Sequence, residues 1–514
     1  MPCRPLLLSA GTRPPTTRPI CLSFEGGCAS VQPMVRPVVT GVAIALAACS
    51  STPTAVLPDA RIALNACRVP GYEGEAVCGV HEVWENREAR SGRRIPIHVV
   101  VLPSREPRSA QRSVRLDPVF YFDGGPGSSA IGAAGWVARL LSSVHDTRDL
   151  VFVDIRGTGR SAPLRCPEGA DDESLQRYFD EFLSDAYVRR CLDAQEADVR
   201  FYNQAIAIDD VDEVRAALGY ERINLYGTSS GTRQAQLYMR QHGKAVRAAV
   251  LHGVAPVDAE VPLAFARAME DGIRMLIDGC ARDGACAAAH PALDRAWERA
   301  KERFGKGPVR ATVRHPRTGR PEQVIISSGV FADGVRHMLY NLQAARVLVE
   351  RIEAAARGDF APFAQAKLQK EIGFSRAIAH GFLLSSTCAE DVRFIDDNDV
   401  RRATAGTFLG DYRVRRQQAA CAIWPKGEGI GEAFQQPVKS DVPVLVISGD
   451  ADVATPASHA ERVVRHLPNA RHVVFPDQGH ALRDPVCAGR LITAFIATAD
   501  AKRLDTSCAE MPSP

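Results

Sequence analysis

Net charge is the first thing this chain lacks. Across 514 residues, 63 Lys and Arg stand against 60 Asp and Glu, a formal net charge of +3. That balance carries no basic footprint for nucleic acid, and none is expected as a partner. The Arg-rich stretches 87–94 and 413–416 read as solvated faces. No Cys-x-x-Cys with zinc spacing occurs, so no metal is expected. Internal repeats are absent, which argues against a solenoid. The apolar stretch near the N-terminus, residues 37–48, is too short for a spanning helix, which needs about 20 residues. What remains is 46% hydrophobic and 24% charged, ordinary for a soluble globular protein and long enough for two to four domains.

That short stretch carries information of its own. Met34-Val35-Arg36 precedes it and Cys49-Ser50-Ser51 follows. One positive charge, a short apolar segment and small residues before a cut site describe an export signal. Leu46-Ala47-Ala48-Cys49 resembles the bacterial lipobox, in which the Cys is acylated, so Cys49 is the candidate lipid anchor to a membrane. An ordinary cleaved signal with a coincidental Cys is the alternative. Either way the expected location is the cell envelope, lipid-anchored, or outside the cell. Residues 1–33, Pro- and Arg-rich without periodicity, would precede the signal and make Met34 a candidate start. Residues 50–65 read as a tether. Ten cysteines follow Cys49 (Cys67, Cys78, Cys166, Cys191, Cys280, Cys286, Cys388, Cys421, Cys487 and Cys508). In an exported chain an even number suggests disulfides. Sequence leaves the connectivity open, but the cysteines fall into five sequence-local pairs, and local pairing is expected.

The stretch that organises the rest is 223–232, Ile-Asn-Leu-Tyr-Gly-Thr-Ser-Ser-Gly-Thr. An apolar run ends at Gly227 and a helical pattern begins beyond Gly231. Between them Gly227-Thr228-Ser229-Ser230-Gly231 fits G-x-S-x-G, a strained strand-to-helix turn that lifts the Ser229 hydroxyl above a sheet. Alone, the pentapeptide recurs by chance in about one chain of this length in five. Its neighbours strengthen it. A hairpin pattern covers 77–84 and 95–102, and apolar strand runs lie at 118–122, 150–154 and 248–251. Helical patterns cover 130–141 and 205–218. Strands alternating with helices predict an α/β fold, a mainly parallel sheet with helices on both faces. Residues 258–437 are rich in helical periodicity (263–277, 288–304, 329–356) and read as an inserted helical cap. The core then comprises residues 66–257 and 438–514, with further strands at 441–448 and 472–475.

A serine nucleophile needs a base, and the base needs a carboxylate to orient it. In a hydrolase of this architecture they follow in the order Ser, acid, His. Asp450 and Asp452 lie just after the strand at 441–448, and His480 just after the last strand, preceded by Gly479. Ser229, Asp452 and His480 therefore form the candidate triad, although sequence separates Asp450 from Asp452 only weakly. The oxyanion hole would draw on the N–H of Ser230 and on the glycine turn 124–127, around Gly125. His242, His252 and His290 have no such setting. No cofactor is required.

Gly124-Gly125-Pro126-Gly127, Asp154-x-Arg156-Gly157-x-Gly159-x-Ser161 and Gly227-x-Ser229-x-Gly231-Thr232 together resemble the proline iminopeptidase group of α/β hydrolases. Three further segments bring the chain closer to the secreted tripeptidyl-aminopeptidase-like branch. They are Asp452-x-x-Thr455-Pro456, Thr387-Cys388-Ala389-Glu390-Asp391 and Cys421-x-x-Trp424-Pro425, and the likeness covers most of 66–508. The resemblance implies a serine exopeptidase acting on peptides with a free N-terminus, with Ser229 as nucleophile, Asp452 as acid and His480 as base. It implies structural roles for Asp154 and Arg156, and cap carboxylates for the substrate amine, for which Glu390 and Asp391 are the candidates. Asp123, Ser230 and Ala481 depart from the group's His, aromatic residue and second Gly, and the first two touch the acyl pocket. A carboxylesterase on the same triad, or a non-catalytic envelope binding protein, are the alternatives.

Overall fold

Short, almost wholly apolar runs make the centre of a nine-stranded sheet, as strands covered on both faces should. The computed structural model describes residues 61–106, 117–167, 174–482 and 485–510, with backbone alone for 342–346. The expected signal, Cys49 and tether residues 50–60 lie outside the described residues. The first seven strands are β1 (Asn65–Ala66), β2 (Val77–Trp84), β3 (Arg94–Leu102), β4 (Val119–Phe122), β5 (Leu150–Val153), β6 (Ile223–Thr228) and β7 (Val246–His252). Then β8 (Val309–Arg314) and β9 (Pro321–Ile326) form a separate hairpin, and β10 (Val444–Gly449) and β11 (Ala470–Phe475) complete the sheet. The order is β1-β2-β3-β5-β4-β6-β7-β10-β11. From β5 to β11 neighbours run parallel, whereas β1 to β3 join antiparallel. The fold is therefore the α/β hydrolase architecture anticipated.

Period-two alternation assigns the two faces. Phe120 and Phe122 of β4 pack toward helices Gln204–Ala217 and Ser230–His242, while Tyr121 packs toward helices Ala130–Leu140 and Pro485–Thr498. The chain leaves β4 toward β5 on one side and returns to β6 on the other. Such a switch point opens a crevice beyond the strand C-termini.

Between β7 and β10 the chain is mainly helical, with a separate apolar cluster centred on Phe331, whose ring lies 4.5 Å from Phe363 and 5.0 Å from Phe304. Packing does not follow chain order. Leu175 and Phe179, before β6, join this cluster, while helix His380–Glu390 sends Phe382, Leu384 and Cys388 to the sheet. Among the described residues no helix is long and apolar enough to cross a membrane.

Three expectations need correction. The β8–β9 hairpin lies within 258–437, expected to be mainly helical; its alternating Ala311 and Val313 are buried against Val324 and Ile326. The single helix expected over 329–356 is two, Ser328–Met338 and Leu342–Ala356, because the chain turns at Tyr340, whose carbonyl accepts the Ala481 N–H at 3.1 Å. Arg413 is buried and donates to Asp333 Oδ2 at 2.7 Å, so the 413–416 stretch is no solvated face. The ten cysteines do form five sequence-local disulfides: Cys67–Cys78, Cys166–Cys191, Cys280–Cys286, Cys388–Cys421 and Cys487–Cys508.

The tightest backbone approach in the sheet's upper edge is at Gly231, where a Cβ would sit 2.1 Å from the Phe122 carbonyl oxygen. Gly231→Ala is expected to cost more than about 3 kcal/mol, or to abolish soluble expression, because backbone must move. Gly243→Ala is the control. It has helical φ −54 and nothing within 4 Å of the added methyl, so its stability should change by less than about 1 kcal/mol. Thermal unfolding of the two variants checks both.

Candidate active site

β6 delivers its last residue to Ser229, which has φ 53 and ψ −126, and helix Ser230–His242 starts at once. A non-glycine residue there is strained by about 1–3 kcal/mol and persists only where neighbours fix it. Several do. Ser229 N–H donates to the His252 carbonyl at 2.9 Å, and the Ser229 carbonyl accepts from Thr232 N–H and Thr232 Oγ1 at 2.9 and 2.6 Å. Gly227 and Gly124 allow the crowding, since a Cβ would lie 2.4 Å from the Gly231 carbonyl oxygen in one case and 2.8 Å from Ser229 Cβ in the other.

His480 stands on the turn after β11. Its Nδ1 is 2.8 Å from Asp452 Oδ2, on the turn after β10, while Asp450 beside it is exposed. Asp452 is buried and held on every side: Oδ1 accepts the N–H groups of Ala454 and Thr455, both at 2.8 Å, and Oδ2 accepts Thr455 Oγ1 at 2.8 Å. Thr455 Oγ1 also lies 3.1 Å from His480 Nδ1. Burial opposes charge on both partners, yet their mutual attraction wins. It holds the Asp452 carboxyl below the usual carboxylate range and raises the His480 imidazole above its ordinary value. The ring is boxed in by Tyr340, 5.3 Å away edge-on, and by Gly253, where a Cβ would sit 3.1 Å from His480 Cε1. Gly479 is required too, as its Cβ would fall 2.8 Å from the Tyr340 carbonyl oxygen.

With Nδ1 committed to Asp452, Nε2 is the nitrogen left for a substrate or for Ser229. Ser229 and His480 line one cavity of about 1190 Å³, together with Gly124, Gly125, Tyr340 and Phe374. Gly125, at φ 114, bends the loop after β4 there. Ser230 opens its helix, so its N–H has no intrahelical acceptor and is free for a developing oxyanion.

Glu390 and Asp391 are elsewhere. Neither lines this cavity. Glu390 accepts Gln204 N–H and Nε2–H, both at 2.6 Å, and Ser386 Oγ at 2.9 Å; burial pushes its carboxyl up to about 7 against the pull of Arg233. Asp391 accepts two N–H groups of buried Arg233, at 2.9 and 3.1 Å. Both carboxylates are turned onto internal partners, which corrects the amine-binding role expected of them. Gln204 Oε1 in turn accepts from Ser230 Oγ at 3.3 Å, so this network braces the elbow. Asp154 and Arg156 hold neighbouring loops. Asp154 accepts Ser129 Oγ and the N–H groups of Ile131 and Arg160, and Arg156 pairs with Asp210 through two bonds of 2.6 and 2.8 Å. Thr455, Tyr340 and His252 were not foreseen at the site. Only Thr455 left a signal, its fixed offset from Asp452. His252 is half-buried and kept neutral, its pKa brought down to about 4 by burial of the ring and by His480.

Comparison with known proteins agrees with the fold. Residues 117–275 match the family model described as alpha/beta hydrolase fold, and residues 406–508 that of TAP-like protein. Over 182 residues the chain is 31% identical to Serine protease Hip1 of Mycobacterium tuberculosis, a match covering 32% of this chain and 35% of that protein. Over 161 residues it is 27% identical to the Tripeptidyl aminopeptidase of Streptomyces lividans, covering 28% and 29%. The chain thus spans about a third of the length of the curated relatives it matches. Among solved structures, a proline iminopeptidase of Mycobacterium smegmatis aligns at 17% identity with a TM-score of 0.39, covering 82% of this chain and 98% of that one. A thermophilic esterase from Thermogutta terrifontis aligns at 13% and 0.35, covering 82% and 99%.

Because the base must be neutral to accept a proton, the raised His480 pKa places the acidic limb of kcat/KM above pH 6.5. Asp452→Asn removes the group that raises it and leaves burial, which lowers it. The limb should then move below its wild-type midpoint while kcat falls by about 10³ to 10⁴. The pH profile of aryl-ester hydrolysis by both proteins checks this.

Proposed function

The chain has an α/β-hydrolase core with a TAP-like stretch toward its C-terminus, and from that premise we propose that it is an exported serine aminopeptidase. It would release single residues or short peptides from free N-termini through an acyl-enzyme. Ser229 Oγ attacks the scissile carbonyl as His480 Nε2 takes its proton. Asp452 holds the imidazole, and the N–H groups of Ser230 and Gly125 receive the oxyanion. The leaving amine collects the proton from His480, and water, activated by the same base, releases the acyl group. The observation that carries the reading is the convergence on one cavity of a strained Ser229 and an Asp452-oriented His480. Peptide substrates are favoured because relatives that match in sequence include a serine protease and a tripeptidyl aminopeptidase.

Export is supported by the five disulfides, which form and persist in oxidising compartments. Acylation at Cys49 would then tether the enzyme to the envelope. Residues 258–437 act in this reading as a cap over the core segments 66–257 and 438–514, screening the site from bulk water.

The test is hydrolysis of free-amine aminoacyl, prolyl, dipeptidyl and tripeptidyl chromogenic amides, their N-blocked twins and simple aryl esters. Cleavage of a free-amine amide but not its twin, lost by on the order of 10⁴-fold or more in Ser229→Ala, is the expected outcome. Ester turnover with no amide cleavage would make the protein a carboxylesterase instead.

A further inference from the structure

Among the described residues that line the cavity of Ser229 and His480, one alone is acidic: Asp123. It follows β4, immediately before Gly124. Oδ1 accepts the Gly124 N–H at 2.7 Å and the Tyr121 hydroxyl at 3.0 Å, and the Tyr121 oxygen lies 2.8 Å from Thr228 Oγ1. These bonds fix the side chain but bring no opposite charge. Among the described residues no cation forms an ion pair with it, and Asp154 acts on it as another anion; burial drives the carboxyl upward and the two hydrogen bonds pull it back.

Elsewhere in the lining the charge is reversed. Arg336 and Arg413 share one carboxylate, Asp333, at 2.9 and 2.7 Å, which leaves that part with an excess positive charge. An enclosed carboxylate with no cation is costly to keep ionised, and such groups concentrate where a ligand supplies the missing charge. A cation entering this cavity is repelled by the arginines and drawn to Asp123.

Resting on the aminopeptidase reading above, we infer that Asp123, not Glu390 or Asp391, binds the substrate's free α-ammonium, and that it sets a short register. A Cβ on Gly124 would lie 3.3 Å from Ser229 Oγ. Together with the bond to Gly124 N–H, standard covalent geometry puts the Asp123 carboxylate within about 8.5 Å of that hydroxyl. In an acyl-enzyme the ammonium of a single residue is roughly 3.5 Å from Oγ, and each further extended residue adds about 3.3–3.6 Å. A charged hydrogen bond closes the remaining gap of about 2.8 Å. Two residues span the outer bound of that separation and one residue suffices where it is under about 6.3 Å, so Asp123 suits an ammonium one or two residues from the scissile carbonyl. The ligand class is a primary ammonium one or two residues from the scissile carbonyl.

Asp123→Asn keeps an oxygen for the Gly124 N–H and removes the charge. Alanyl and alanyl-alanyl p-nitroanilides, and their N-acetyl twins, are compared in both proteins, with active sites counted by a fluorophosphonate. The expected result is a KM for the free-amine substrates at least tenfold higher in the variant, kcat changed less than about threefold, and a collapse of the preference over the acetylated twins. A preference that survives, or an equal fall for free and acetylated substrates, would overturn the site while leaving the aminopeptidase reading intact. Wild type that cleaves no free-amine amide would remove that reading and the site with it. Should the variant not fold, wild type alone decides: alaninamide must inhibit aryl-ester hydrolysis at least tenfold better than N-acetylalaninamide, and equal inhibition overturns the site.

Discussion

Holding Ser229 in a left-handed backbone conformation is the constraint on which the catalytic end of this molecule depends. The cost, about 1–3 kcal/mol, is met by rigid surroundings and not by the turn itself. β4, β6 and β7 pair in parallel beneath it, and the His252 carbonyl at the end of β7 takes the Ser229 N–H. The glycines around the elbow serve one purpose, to let backbones meet at distances a methyl group forbids. The same close packing fixes the loop after β4 against Ser229, where the proposed oxyanion donors lie.

Charge in the interior is arranged around that elbow with little left over. Arg233 satisfies Asp391 and faces Glu390, Arg156 satisfies Asp210, and Arg336 and Arg413 converge on Asp333. Each group would be expensive to bury alone, and every pair but Arg336–Asp333 ties together segments distant in sequence. Asp452 and His480 belong to this pattern but differ in consequence, because one imidazole nitrogen remains directed at the cavity. Asp123 differs in the other direction, as a carboxylate whose partners are all neutral.

Much of this was legible from residues alone, and the limits are physical. The central strands announce themselves because a strand covered on both faces must be apolar throughout, and the order of Ser229, Asp452 and His480 follows from their places after strands. Asp452 separates from Asp450 only in three dimensions, where a buried carboxylate meets the imidazole and an exposed one does not. The break at Tyr340 has no Gly or Pro to mark it; it exists because a tertiary contact to Ala481 replaces the helical bond. Glu390 and Asp391 looked available since sequence displays acidic residues but hides Arg233, which neutralises them from the helix behind Ser229. The β8–β9 hairpin carried its period-two signal openly but sits between helical segments that dominate the region.

The central claim is that Ser229 is an activated nucleophile, and covalent trapping tests it most directly. Folded protein treated with diisopropyl fluorophosphate, then digested and weighed by peptide mass, should carry one adduct per chain on the peptide that contains Ser229. Protein that remains folded yet takes up no adduct, or takes it up on another residue, would contradict the account.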